Sequence, residues 1–314
     1  MLGATGYLGS RFVDQWITEH HDSDHLIMVF PWSSLFRPTW AHPHISVIEA
    51  DVSAPDVWSR LDDVDVIVHA AGPSRVRADA DKNAALDAHF TGAARARDWF
   101  ERRSSRRVIY LSTMHVYGPT TRRMWREIDP CVPVMPYAKL KFAAERTLGL
   151  DVVGITILRL AHVYGVGTGR RVDSNGVVHR SLIAALSKQP VQVDGTGEHA
   201  WDFVHVDDAI DALLACVRDD RGVSGVYNIG TGPTYIAHLM AEIAAVVAPI
   251  TRSRFAVTSN VTASAFSCVM DSTKAQRDFG WTPRITLARG LAGLIDHYRV
   301  DVTAVIKTTV KESS

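Results

Sequence analysis

Three glycines, Gly3, Gly6 and Gly9, stand at G-x-x-G-x-x-G spacing and run straight into an amphipathic stretch from Ser10 to His20. Glycines so spaced let a chain turn tightly and bring its backbone against a pyrophosphate. The pyrophosphate charge then rests on the N-terminus of the following helix. Such a triplet alone is weak evidence. Here a second apolar run, Leu26-Ile27-Met28-Val29-Phe30, follows the helix, which favours dinucleotide binding over a plain turn. Only Met1 and Leu2 precede the glycines, where a full buried strand is expected in mid-sheet. Its loss would expose two neighbouring edges. The expectation is therefore that the native chain starts upstream of Met1, and an intact mass equal to that of this sequence would refute it.

Further runs repeat the pattern. Val47 to Val52 reads as a strand ending at a carboxylate, Asp51, beside Val52, suited to an adenine amino group. Val64 to His69 reads as another, passing into Ala70-Ala71-Gly72, whose small side chains let a flat ligand lie close. A helical stretch, about Asn83 to Arg103, separates these from the strand Arg107-Val108-Ile109-Tyr110-Leu111. Strands alternating with helices at this interval predict an α/β fold with a doubly wound parallel sheet. After Phe30 the usual ribose-binding Asp or Glu of an NAD site is absent. Ser33, Ser34 and Arg37 stand there instead, which leans the cofactor from NAD towards NADP. A surface turn with incidental polar residues is an equal alternative.

The Arg107 strand ends in Ser112 and Thr113, and Tyr137 follows with Lys141 four residues on. If Tyr137 opens a helix, Lys141 lies on the same face one turn below. A cation beside a phenol stabilises phenolate and lowers the tyrosine pKa from about 10. A hydroxyl able to bond the same substrate oxygen completes a proton-transfer device. A Tyr and a Lys at this spacing also occur on ordinary amphipathic helices.

Together these segments resemble the extended short-chain dehydrogenase/reductase superfamily, and within it the NAD-dependent epimerase/dehydratase family. The resemblance spans nearly the whole chain. It rests on Gly3 to Gly9, Asp51-Val52, Thr113 to Gly118, Tyr137 to Lys141, Arg159 to Gly165, Asp202 to Asp208, Tyr227 to Gly230, and Asp271 to Trp281. It implies that Tyr137 is the catalytic acid/base, Lys141 its partner and Thr113 the hydroxyl on the substrate oxygen. Gly3, Thr5, Gly6, Tyr7, Leu8, Gly9, Asp51, Val52, Ala70, Ala71 and Gly72 would hold the dinucleotide. It further implies a homodimer acting at C4 of a nucleotide-linked sugar, as 4-ketoreductase or 4-epimerase, while the scattered cysteines read as those of a cytoplasmic protein. It places a Rossmann domain at 1–165 plus about 202–230, and a smaller substrate lobe of discontinuous pieces at 166–201 plus about 231–300. A polar tail covers 301–314.

The chain also departs from that pattern. Family dehydratases carry Asp-Glu after the threonine, where Met114-His115 stands here, which disfavours elimination of water. Trp201 and Asn260 occupy places where family members use arginines for a nucleoside diphosphate, and His162 and His89 replace two asparagines. Planar guanidinium forks suit diphosphate, so the substrate anchor is altered. Arg170, Arg171 and Arg180 are candidate replacements, with a solvated basic loop as the alternative. His115, His162 and Trp201 complete the candidate substrate contacts. A carbonyl reductase on a non-sugar substrate and a non-catalytic dinucleotide-binding protein remain the other readings. The Tyr-Lys pair counts against the second.

Composition narrows the partners. Basic and acidic residues balance at 34 each, so no net field draws the chain to nucleic acid or an anionic membrane. No apolar run reaches the roughly 18 residues of a membrane span. Cys131, Cys216 and Cys268 are far apart and read as reduced. His20, His21, His25, His42 and His44 read as surface-loop residues, and no metal site is expected. The basic run Arg102-Arg103 and Arg106-Arg107 reads as a solvated helix end.

Overall fold

The structure is a computed structural model, and it describes residues 1–31, 36–73, 81–102, 106–119, 124–167, 176–219, 221–251, 257–260 and 266–298. Its central sheet is parallel. Strands β1 (Leu26–Phe30) and β2 (Ile45–Glu49) pair in register on one side. On the other side run β3 (Val66–His69), β4 (Arg107–Thr113) and β5 (Ile155–Leu160). β9 (Gly225–Ile229) pairs with β5 to end the row. Leu2 bridges β1 and β3 in parallel, its N–H donating to Val68 O at 2.9 Å and its carbonyl accepting from Ala70 N at 3.1 Å. Two residues thus join the halves of the sheet where a whole central strand was expected. Every residue of β5 is buried, as near-continuous apolar runs require when helices cover both faces of a parallel sheet.

One face packs helices Tyr7–Glu19 and Val206–Arg218 through Phe12, Val13, Trp16, Ile210 and Leu213. The other packs Pro55–Ser59, Gly92–Glu101 and Pro136–Leu148 through Trp58, Ala96, Trp99, Ala144 and Leu148. Past Leu160 the chain leaves this sheet. β6 (His162–Tyr164) runs parallel to β8 (Ala200–His205), and β10 (Pro233–Tyr235) is antiparallel to β8. β7 (Val191–Asp194) pairs with β11 (Val257–Asn260). Helices Val177–Leu186, Ile236–Thr251 and 287–298 close a separate apolar core of Leu182, Val193, Leu239, Ile243 and Leu294. The buried Asp202 carboxylate ties the crossings together by accepting backbone N–H bonds from Thr231 at 2.7 Å and Met270 at 3.0 Å. Burial pushes this carboxyl up to about 7 despite those bonds.

Two expectations change. The helix read at 83–103 is broken: Lys82–Leu86 and Gly92–Glu101 flank a π-helical turn, Asp87–Thr91. Such a turn has no period a sequence pattern reveals. The basic run is not simply solvated. Arg106 is buried and donates to Trp99 O at 2.6 Å, and Arg107 donates to Val217 O at 2.7 Å, each capping the C-terminal carbonyls of a helix. His20, His42 and His44 also meet, with ring centroids 4.7, 5.5 and 5.7 Å apart, and Trp16 stacks on His20. No group of three His, Cys, Asp or Glu residues able to hold a metal exists among the described residues.

Candidate active site

The glycine loop is built for close approach. Gly3 has φ +79°, and a Cβ on it would lie 2.7 Å from the Ala71 backbone. A Cβ on Gly9 would lie 2.1 Å from Gly3 O, so the first turn of the helix sits directly on the loop. Gly6 is exposed as N-cap and the first turn carries no acid, which leaves the helix dipole for an incoming anion. This cradle fits a dinucleotide pyrophosphate. Thr5 is half-buried in the same loop, and Leu8 packs on the core behind it. The Tyr7 hydroxyl donates to Gly165 O at 3.0 Å, pinning the loop to the segment that leaves β6.

The flanking candidates are placed as follows. Asp51 is exposed, and its Oδ1 accepts from Ser53 N at 2.8 Å and Ser53 Oγ at 2.7 Å, while Val52 is buried. Ala70, Ala71 and Gly72 follow β3, and Gly72 has φ +132°. A Cβ there would lie 2.0 Å from the His89 ring. Arg37 is engaged by Asp14 at 3.6 Å and lies over the Trp40 ring at 5.1 Å. Ser33 and Ser34 lie outside the described residues.

Thr113 ends β4, buried, and its Oγ1 accepts from His115 N at 3.3 Å. Pro136 sets the start of helix Pro136–Leu148, so Tyr137 stands in the first turn and Lys141 one turn on. The Lys141 ammonium is buried. It donates to Leu111 O at 2.7 Å and lies 4.7 Å from the Tyr110 ring centroid. Desolvation lowers its pKa to about 7, against a rise from Glu145. Tyr137 is half-buried and its ring meets His89 edge-on at 5.6 Å.

Behind these residues lies a network that motif reading did not isolate. Arg159 on β5 pairs with Glu145, Nη2 to Oε2 at 2.7 Å, both side chains almost wholly buried. Ser112 donates to the same carboxylate. Arg159 Nη1 donates to the Tyr117 hydroxyl at 3.0 Å, which donates to Asn228 Oδ1 at 2.7 Å. Glu145 lies one turn beyond Lys141, so an i, i+4, i+8 reading from Tyr137 would have put it on the catalytic face. His69 and His89 were also passed over as site residues. Burial lowers their pKa values to about 3 and about 2, so both rings are neutral, and His89 Nε2 bonds Pro73 O at 3.2 Å.

His115, His162 and Trp201 form one cluster, with His115 to His162 at 5.0 Å and His162 to Trp201 at 4.5 Å. The two positions after Thr113 are Met114, which is buried, and His115, so neither offers a carboxylate. Arg180 is exposed on helix Val177–Leu186, and Arg170 and Arg171 lie outside the described residues. Asp207 pairs with Arg11, and Asp208 accepts from Arg284 N and Ile285 N at 2.9 and 3.0 Å, so both are structural.

Residues 1–230 match the NAD dependent epimerase/dehydratase family. The chain belongs to that family. Its fold is that of UDP-glucose 4-epimerase from Thermotoga maritima solved with UDP-glucose, at TM-score 0.79 and 23% identity over 96% of this chain and 98% of that one. MoeE5, solved in complex with UDP-glucuronic acid and NAD, matches at TM-score 0.77 and 26% identity over 96% and 98%. A dTDP-6-deoxy-L-talose 4-dehydrogenase (NAD(P)(+)) of Kitasatospora kifunensis is 32% identical over 208 residues, 61% of this chain and 62% of that protein. Other relatives, at 24–26% identity, are UDP-glucuronic acid decarboxylases, a UDP-glucose 4-epimerase and a dTDP-glucose 4,6-dehydratase. This is a Rossmann-type enzyme of an NAD-dependent family. No helix among the described residues is long and apolar enough to cross a membrane.

Proposed function

We propose that the protein is an NAD-dependent oxidoreductase acting at C4 of a nucleotide-linked hexose, as a 4-ketoreductase or a 4-epimerase. The observation that carries this reading is the buried Lys141 ammonium, fixed by Leu111 O at 2.7 Å one turn below Tyr137. The glycine loop Gly3–Gly9 would hold a nicotinamide dinucleotide, which would supply or accept the hydride. The chain's own residues handle the proton. In reduction the Tyr137 hydroxyl protonates the developing alkoxide, the Lys141 charge offsets the phenolate left behind, and the Thr113 hydroxyl donates to the same oxygen. In oxidation each transfer reverses. The absence of carboxylates at Met114 and His115 speaks against dehydration. NAD is preferred over NADP because the solved relative MoeE5 was determined in complex with NAD, and Arg37, the candidate 2′-phosphate partner, is already shared with Asp14.

Mass spectrometry of the cofactor retained on the purified protein tests the choice. Tightly held NAD supports the epimerase, and an empty, exchangeable site supports the reductase. A carbonyl reductase on a non-sugar substrate is the second reading, favoured by Trp201 in place of a guanidinium. Calorimetry with UDP and dTDP separates the two, and absence of binding to either favours the second. We further propose the lobe boundaries given above, a homodimer carried over from the resemblance, and a cytoplasmic location from the cysteine usage. Sedimentation tests the dimer.

A further inference from the structure

His89 is a buried polar side chain outside the proton-transfer set. It stands in the π-helical turn Asp87–Thr91 and is 1% exposed, while Asp87 and Phe90 on the same turn are exposed. One extra residue in a turn rotates the side chains it carries, and such turns concentrate at functional sites. The imidazole is seated against Gly72. A Cβ there would lie 2.0 Å from His89 Cε1 and 2.3 Å from Nδ1, so the ring takes the space a side chain at position 72 would fill. His89 Nε2 bonds Pro73 O at 3.2 Å. A carbonyl only accepts, so Nε2 carries the hydrogen of the neutral ring and Nδ1 is a bare acceptor. Burial first, and then the Lys141 charge, keep the ring neutral. Nδ1 is buried and has no hydrogen-bond partner among the described residues. An unsatisfied buried acceptor destabilises a fold, so stability alone does not account for a histidine at this place.

The seated ring meets the Tyr137 ring edge-on, with centroids 5.6 Å apart and planes at 74°. Edge-to-face contact at this separation is attractive and fixes the angle between two rings. We propose that His89 is a positioning residue, a fixed stop that holds the Tyr137 ring in the rotamer from which its hydroxyl passes the proton. The inference rests on the reading of Tyr137 as the acid/base. Tyr137 is only half-buried, in the first turn of its helix, and turning its ring about the Cα–Cβ bond sweeps the hydroxyl through several ångströms. A misplacement of about 1 Å costs on the order of a hundredfold in rate. Neutrality matters to this role, because an imidazolium would set a second cation beside Lys141 in a buried site. The asparagine of the family pattern at this position has no ring, so the contact is a property of this chain.

The test replaces His89 by Leu, which fills the space without an aromatic edge, and by Phe, which keeps the edge without the nitrogens. One readout needs no substrate: the tyrosine ring carbon-13 NMR spectrum of the NAD-saturated protein, with the Tyr137 signal assigned by its loss in Tyr137→Phe. His89→Leu is expected to move that signal. The other readout is turnover of UDP-glucose and its C4 epimer with NAD. Expected is a kcat lowered about tenfold or more in His89→Leu, with KM, NAD affinity and circular dichroism unchanged, and restored to within about threefold in His89→Phe. If His89→Leu does not fold, His89→Asn replaces it with the same expectations. An unmoved Tyr137 signal, a wild-type kcat in His89→Leu, or a His89→Phe enzyme as slow as His89→Leu each overturn the positioning role. A moved signal with no turnover of either sugar nucleotide by the wild type would instead bring down the C4 reading and leave the ring contact standing.

Discussion

The two sides of the candidate active site are built on different principles. On the cofactor and proton-transfer side, backbone contacts and buried polar bonds determine position almost completely. Gly9 leaves no room for a Cβ against Gly3 O, and Lys141 is held by a carbonyl of β4. The Arg159–Glu145 pair clamps the helix bearing Tyr137 to the strand next to Thr113. On the candidate substrate side, the partly buried rings of His115, His162, Trp201 and Phe266 lean on one another. A rigid half suits chemistry that needs sub-ångström placement, and a wall of side chains suits recognition that changes from one substrate to another.

That contrast can be broken in several places, taken here from the largest expected effect. Tyr137→Phe removes the proton donor and lowers kcat by about 10²–10⁴-fold while circular dichroism stays unchanged. Turnover at the wild-type rate would remove Tyr137 from the mechanism. Glu145→Ala strands the buried Arg159 guanidinium and costs about 3–5 kcal/mol by denaturant unfolding. An unfolding midpoint equal to that of the wild type would show that the network clamps nothing.

Lys141 gives a pH test with a definite sign. Its folded pKa is lowered to about 7 from 10.5, so its charge is lost as pH rises through about 7. Ketone reduction that uses this charge falls about tenfold per pH unit above that point. Between these two values the unfolded chain keeps a proton the folded chain has released, so this group makes the ligand-free protein more stable as pH rises. A rate flat from pH 7 to 9 would separate Lys141 from the proton transfer. The smallest effect is expected from Arg37→Ala. Arg37 is paired with Asp14 at 3.6 Å in a half-buried position, and the change in NAD affinity stays within about threefold, as for ion pairs screened by solvent. A large, selective loss of NADP binding would restore Arg37 as a 2′-phosphate ligand.

Much of this architecture was legible in the residues alone. The glycine spacing, the apolar runs of β1, β3, β4 and β5, and the Tyr137–Lys141 interval are local signals. Each works through backbone freedom or through a short periodic pattern. The π turn was not legible, because one extra residue in a helical turn leaves no periodic trace, yet it sets His89 against Tyr137. The caps made by Arg106 and Arg107 were misread because a basic run looks the same whether it faces water or the ends of two helices.

What the amino-acid order indicated by itself is the Tyr137–Lys141 pair and the glycine loop, since each lies within one helical turn or one loop. What the tertiary structure decided is everything that needs distant segments to meet. Arg159 reaches Glu145 across a sheet and a helix, and Leu2 joins the two halves of the sheet. His115, His162, Trp201 and Phe266 come from four separate elements to make one wall. Those juxtapositions follow from strand order and crossings, and no spacing along the chain encodes them.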